Sequence, residues 1–258
     1  MKIISKTITI GGGALTLEVG RFAHQANSAV LARLGDTMVL ATVVAGPVQE
    51  NLDYFPLGVE YAERLYAGGR IKGSRWVKRE GKPSDEAILT ARLIDRSIRP
   101  LFPKAYKNEV QVIVTVLSVD SENNPDIPAL LAASAALAIS DIPWGGPVGA
   151  VRIGFVPKNG ESSFIVNPTY QDLEYSQMDL IVSATDKAII MIEGGLKEVP
   201  EEMIVKGVGF AQQEIEKIIK PVGELQEEVG LKKTSVKVLT KDLQLVASLE
   251  KEAKEEIK

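Results

Sequence analysis

Apolar and polar residues alternate through the first fifth of the chain, and the alternation predicts strands. Ser5–Ile10 and Ala14–Val19 flank Gly11-Gly12-Gly13, the pattern of a hairpin with a tight turn. Ala29–Leu34 and Met38–Ala45, joined by Gly35-Asp36-Thr37, predict a second hairpin. Leu57–Tyr61 reads as a further strand. The periodicity then vanishes: residues 64–83 carry Gly68, Gly69, Gly73, Gly81 and Pro83 without an apolar rhythm, which predicts a long loop of the kind that commonly serves a function.

Helical spacing begins at Ser84, a good N-cap followed by Asp85 and Glu86, where the helix dipole favours acids. That helix is expected to run to about Arg99 and stop at Pro100. Val110–Val119 is rich in β-branched residues and predicts a buried strand. Pro125–Ile139, rich in Ala and Leu, predicts a buried helix with Pro125 near its first turn. Strands are expected near Gly149–Val156, Ser163–Val166, Met178–Ala184 and Ala188–Glu193. Hairpins mixed with helices argue α+β rather than a regular βαβ series. After Leu196 the character changes. Pro200-Glu201-Glu202 opens a helix predicted through Lys217, and Asp242–Ile257 reads as a second, charged helix. No arginine follows Arg152, and the last residues continue a helical pattern without a cap, so the chain reads as a fragment of a longer one.

Composition narrows the class. With 258 residues, 45% hydrophobic and 25% charged, the chain can bury a full core. It has no cysteine, which excludes disulfides and thiolate chemistry. No basic start leads into an apolar run, and no apolar stretch approaches the ~18 residues of a membrane span. A soluble, cytoplasmic protein is expected, with no membrane partner.

Charge then singles out one region. The chain is acidic, at formal net −4, yet seven of its ten arginines lie between Arg64 and Arg99. Arg64–Lys82 alone carries a net +6, leaving −10 for the rest. Guanidinium forks suit phosphate oxygens. Arg75, Lys78, Arg79 and Lys82 surround Trp76 with only Glu80 to oppose them, a combination suited to single-stranded nucleic acid: charge for phosphates, a ring for a base. A solvated charged loop is the plainer alternative. Arg92, Arg96 and Arg99 share a helix face, but Asp95 stands within one turn of Arg92 and Arg99, so an ion-paired face or an interface is equally open. His24, the single histidine, has no partner motif and reads as structural. Gly145-Gly146-Pro147-Val148-Gly149 leads into a strand and lacks the Lys-Ser/Thr of a phosphate loop, so it is a turn. Gly207-Val208-Gly209 is an equally weak motif, and Asp120, Asp126, Asp172 and Asp179 show no ligand spacing.

Longer motifs carry a resemblance. Tyr-Ala-Glu-Arg-Leu-Tyr-Ala-Gly-Gly-Arg-Ile-Lys-Gly-Ser at 61–74, Lys-Arg-Glu-Gly-Lys-Pro-Ser-Asp-Glu at 78–86 and Ala-Arg-Leu-Ile-Asp-Arg-Ser-Ile-Arg-Pro-Leu-Phe-Pro at 91–103 closely resemble the bacterial polynucleotide phosphorylases. Leu34-Gly35-Asp36-Thr37, Asn124-Pro125-Asp126-Ile127 and Ala132-Ala133-Ser134-Ala135-Ala136-Leu137 extend the match. The resemblance implies an α+β ribonuclease PH-like core (ribosomal protein S5 domain 2-like) over 1–196. Residues 197–258 would hold the core's last helix and the truncated start of an all-helical linker domain. It further implies a 3′→5′ phosphorolytic exoribonuclease of mRNA turnover. That enzyme uses phosphate as co-substrate and Mg²⁺ as cofactor, forms a trimeric ring that admits single-stranded RNA, and can associate with other RNA-degradation components. The chemistry of such enzymes, and their Mg²⁺, belong to a second core.

Departures from the family pattern imply that this core does not catalyse. Active cores open their central helix with a Gly-Ser/Thr-rich element that holds phosphate; the matching stretch here is Asn124-Pro125-Asp126-Ile127-Pro128. Their Asp, second Asp and Lys correspond to Leu173, Asp179 and Ile181, one carboxylate of the set. The resemblance retains the RNA-contacting loop: a Phe-Phe-Arg-Arg element matches Trp76-Val77-Lys78-Arg79, with an extra Arg75 and with Lys82 beyond. The expected RNA-binding residues are thus Arg75, Trp76, Lys78, Arg79, Lys82, Arg92, Arg96 and Arg99, with no catalytic and no metal-binding residue. Two other readings stay open. One is a non-catalytic ring subunit of an archaeal-type exosome; the other keeps catalysis here through Asp179 and further acids.

Overall fold

A computed structural model describes residues 3–48, 52, 54–71, 81–158, 161–236 and 253. The first hairpin is β1 (Ile4–Ile10) with β2 (Gly13–Val19), the second β3 (Ser28–Leu34) with β4 (Thr37–Val48), each pair antiparallel as the alternation predicted. β5 (Leu57–Ala62) follows, then a 3-10 turn at Leu65–Gly68 inside the predicted loop. Residues 72–80 of that loop lie outside the described residues. α1 (Asp85–Ile98) is capped by Ser84, whose side chain accepts from the Ala87 amide; Pro100 does not end the helix abruptly but sits in a 3-10 turn, Arg99–Leu101. β6 (Asn108–Ser118) and α2 (Asp126–Ile139) come next, then β7 (Gly149–Lys158) and β8 (Glu161–Val166). A short α3 (Tyr170–Tyr175), β9 (Met178–Ala184), β10 (Ile189–Leu196) and α4 (Glu201–Val229) complete the order.

The strands form a six-stranded sheet, β1-β2-β3-β4-β6-β5, and a four-stranded sheet, β10-β9-β7-β8. Every pair is antiparallel except β5 with β6, which run parallel because α1 carries the chain back between them. The fold is α+β with one βαβ unit inside it. Periodicity could not report that unit, since strand direction follows from the path of the connection and not from the strand's own residues.

All fourteen residues of α2 are buried. The helix packs against β3 and β4 on one side and β7 and α4 on the other. Leu130, Leu131 and Leu137 are almost wholly removed from water, each contributing about 1.5–3 kcal/mol by the usual transfer value. A helix without a solvent face cannot show the one-sided stripe of a surface helix, so its uniform apolar run is the expected signature.

α4 differs from expectation. It continues past Lys217, through Pro221, to Val229. Pro221 removes one helical donor, but Ile215, Ile218, Val222 and Leu225 all face the core, and that continuous apolar stripe outweighs the lost bond. Gly207 acts here by packing: a Cβ on it would lie 3.2 Å from the Met178 sulfur and 3.4 Å from the Phe164 ring, so glycine lets the helix seat closely on the second sheet. Of the helix predicted at Asp242–Ile257, only residue 253 is described, and the rest falls outside the described residues. α3 had no periodic signal because it is a single short segment. A capping box between Thr169 and Asp172 forms it.

Ser84→Ala removes both the N-cap of α1 and a 2.8 Å hydrogen bond to Glu63 Oε2. It should cost about 1 kcal/mol and lower Tm by about 2–4 °C in a thermal unfolding scan.

Candidate nucleic-acid interface

β5 is the last strand of its sheet, and α1 lies against it. Between them opens a cleft of about 1030 Å³. Leu57, Val59, Ile88 and Ala91 supply apolar wall, and Arg64, Arg70, Lys82, Arg92 and Arg99 bring cationic groups to it. The hydrogen bond from Ser84 to Glu63 pins the start of α1 to the chain leaving β5 and so holds the two walls together.

The helix arginines divide. Arg99 forks onto the Asp95 carboxylate, with Nη2 at 2.7 Å from Oδ1, and also donates to the carbonyls of Phe55 and Leu57 at 3.3 and 3.1 Å. It ties α1 to β5. Arg96 does not line the cleft; it pairs with Glu193 of β10 at 3.0 Å. Arg92 lines the cleft and makes no hydrogen bond or ion pair among the described residues. Lys82 lines it as well. Arg75, Trp76, Lys78 and Arg79 lie outside the described residues. Sequence reasoning counted Arg64 and Arg70 in the basic cluster without selecting them as site residues, although both line the cleft. His24 is exposed in the turn between β2 and β3.

A second constellation, unread in the sequence, lies where α2 begins. Arg152 on β7 is nearly buried, and its guanidinium pairs with Asp126, the first residue of α2, and with Asp179 of β9 at 2.7 Å. The sheet register makes the second pair natural: Asp179 stands opposite Gly154 and Arg152 opposite Ile181, diagonal neighbours on one face. Asn167, in the left-handed region at φ 48°, fixes the Arg152 backbone by accepting from its amide at 2.9 Å and donating to its carbonyl at 2.7 Å. Burial opposes the charge on Arg152, but the two carboxylates outweigh it and hold the guanidinium more firmly protonated than usual. Burial pushes the Asp179 carboxyl up, with Arg152 opposing. The remaining cavity is about 10 Å³, too small for a phosphate. The signal available in the sequence was one arginine in an otherwise apolar strand, Gly149–Val156.

This pocket does not suit Mg²⁺. A divalent ion needs carboxylate oxygens with charge to spare, and these two already share a guanidinium. Among the described residues no group of three or more His, Cys, Asp or Glu could hold a metal.

Asp120 positions the approach to α2. Its carboxylate accepts from the amides of Asp36, Glu122 and Asn123 at 3.1, 2.9 and 2.8 Å and from the Asn123 side chain at 2.7 Å. Buried Thr37 bridges the same turn, accepting from the Asp120 amide and donating to the Asn123 carbonyl. The Leu34-Gly35-Asp36-Thr37 motif is thereby a socket for the loop that delivers Asp126. Gly145-Gly146-Pro147, expected as a turn, lies instead in irregular chain leading into β7, with the Gly145 amide donating to the Leu101 carbonyl at 3.0 Å.

Comparison with known proteins agrees with this architecture. Residues 13–143 match the 3′ exoribonuclease family, domain 1, and residues 146–214 match domain 2 of that family. A polyribonucleotide nucleotidyltransferase of Thermomicrobium roseum is 53% identical over 230 residues, 88% of this chain and 28% of the relative. One from Acidobacterium capsulatum is 51% identical over 227 residues, again 88% of this chain and 28% of the relative. One from Thermus thermophilus is 47% identical over 246 residues, 95% of this chain and 33% of the relative. The chain therefore spans about a third or less of the length of these relatives. With both domains matched in order, the chain belongs to the 3′ exoribonuclease family.

Proposed function

We propose that this chain is the RNA-binding, ring-forming and non-catalytic part of a 3′→5′ phosphorolytic exoribonuclease that uses phosphate to release nucleoside diphosphates from RNA. In this reading residues 1–196 are a first ribonuclease PH-like core, and 197–258 lead into a helical linker. Mg²⁺ and the attacking phosphate belong to a second core elsewhere in the trimer. One observation carries the non-catalytic part: Arg152 pairs with Asp126 and with Oδ2 of Asp179 and fills the space at the opening of α2. With that space closed, an attacking phosphate has no seat, and a metal would have to compete with the guanidinium that both carboxylates already pair with. The purified chain, incubated with poly(A), phosphate and Mg²⁺, should release no diphosphate above background; release above it would refute the proposal.

RNA binding is proposed for Arg75, Trp76, Lys78, Arg79 and Lys82 from charge and resemblance, and for Arg92 from its place in the cleft. Arg96 and Arg99, held by Glu193 and Asp95, act in this reading by fixing α1. Lys78→Ala with Arg79→Ala should weaken binding of single-stranded RNA and reduce the slope of log affinity against log salt by about 1.4, the value for two lost single-strand phosphate contacts. A slope equal to that of the unaltered chain would count against the loop.

A further inference from the structure

The cleft between β5 and α1 contains more than charge. It is larger than a nucleoside requires, and its walls are aliphatic: Leu57 and Val59 on the strand, Ile88 and Ala91 on the helix. β5 is an edge strand, so alternate main-chain groups lack a ladder partner. The Leu57 carbonyl is one of them, and Arg99 satisfies it. The period of two along a strand points the main-chain groups of Val59 and Tyr61 the same way, offering N–H and C=O groups beside an apolar slot.

We infer that this cleft takes one unstacked base of single-stranded RNA, the adjoining phosphates lying on Arg70, Lys82 and Arg92. The inference rests on the RNA-binding reading proposed above and assigns it a base subsite. A peptide strand could use the same main-chain groups. Charge favours the polyanion: Arg70, Lys82 and Arg92 have no ion pair among the described residues. Of the carboxylates in the cleft, Asp95 is taken by Arg99 and Glu63 accepts from Ser84, leaving Glu60.

The test compares the full chain with its Ala91→Leu variant, which fills the slot without changing charge. The probes are a fluorescent oligoadenylate dodecamer and an abasic strand of equal length. Ala91→Leu should weaken the intact strand about tenfold and leave the abasic strand and the salt slope unchanged. Arg92→Ala should instead weaken both probes alike. If Ala91→Leu lowers Tm, Val59→Phe on the strand wall serves in its place. The inference is overturned if the unaltered chain binds the two strands equally, or if filling the slot leaves the intact strand unaffected. It is also overturned if an acidic strand-forming peptide binds in place of both RNAs. Failure of the unaltered chain to bind either strand would overturn the RNA-binding reading itself.

Discussion

Arg152→Met should destabilise the fold by about 3–5 kcal/mol at neutral pH, because it leaves two carboxylates facing each other at the start of α2 with no counter-charge. The Met stem can refill most of the volume, so the loss is mainly electrostatic. Its pH dependence has a definite sign. Burial already raises the folded-state pKa of Asp179, and Arg152 is the cause that opposes the rise. A raised carboxyl destabilises the fold as pH climbs through the folded-state value, and the penalty disappears below the unfolded value of about 3.9. Without Arg152 the shift grows, so the variant's deficit should be largest near pH 7 and shrink toward pH 4. Denaturant unfolding at several pH values reads this directly. Adding Asp126→Asn and Asp179→Asn to Arg152→Met should recover much of the stability, since neutral amides can be buried at far smaller cost.

Gly35→Ala is expected to be the second severe change, at about 2–4 kcal/mol from backbone strain and overpacking together. Gly35 sits at φ +60°, and a Cβ there would lie 2.6 Å from Asp120 Oδ2 and 2.7 Å from Asn123 Nδ2. The methyl group would enter the hydrogen-bonded socket, so the damage would spread to the loop that places Asp126. Hydrogen exchange should show it as lost protection at the Glu122 and Asn123 amides. Asp120 also makes this socket sensitive to acid. Burial works against its charge, but the donors from Asn123, Glu122 and Asp36 prevail and hold the carboxyl well below the ordinary range. A lowered carboxyl stabilises the fold above the unfolded value and loses that contribution as pH falls through the folded value. Asp120→Asn should therefore flatten the acid side of the stability profile.

Local signals foretold most of the framework. The two hairpins, α1 with its Ser84 cap and the buried α2 were legible because each rests on a local rule: alternation, a turn residue, a cap, an unbroken apolar run. The length of α4 was not, because Pro221 is an unfavourable local choice that only packing against the core reverses. The basic cluster was legible as charge, while the fates of its members were not. Arg92, Arg96 and Arg99 have nearly the same helical address, yet one faces the cleft, one reaches β10 and one grips Asp95 and β5.

The sequence by itself determined most of the element types, the sign reversal between Arg64 and Lys82, and the family. Each of these is a property of residues close together along the chain or of long contiguous motifs. Tertiary structure alone decided that Asp126, Arg152 and Asp179 meet. Three elements distant in sequence bring them together, and no spacing rule links charges whose proximity depends on how α2 lies against β7 and how β9 pairs with it. It also decided that β5 and α1 leave a slot between them, since a cavity belongs to two surfaces and is written in neither.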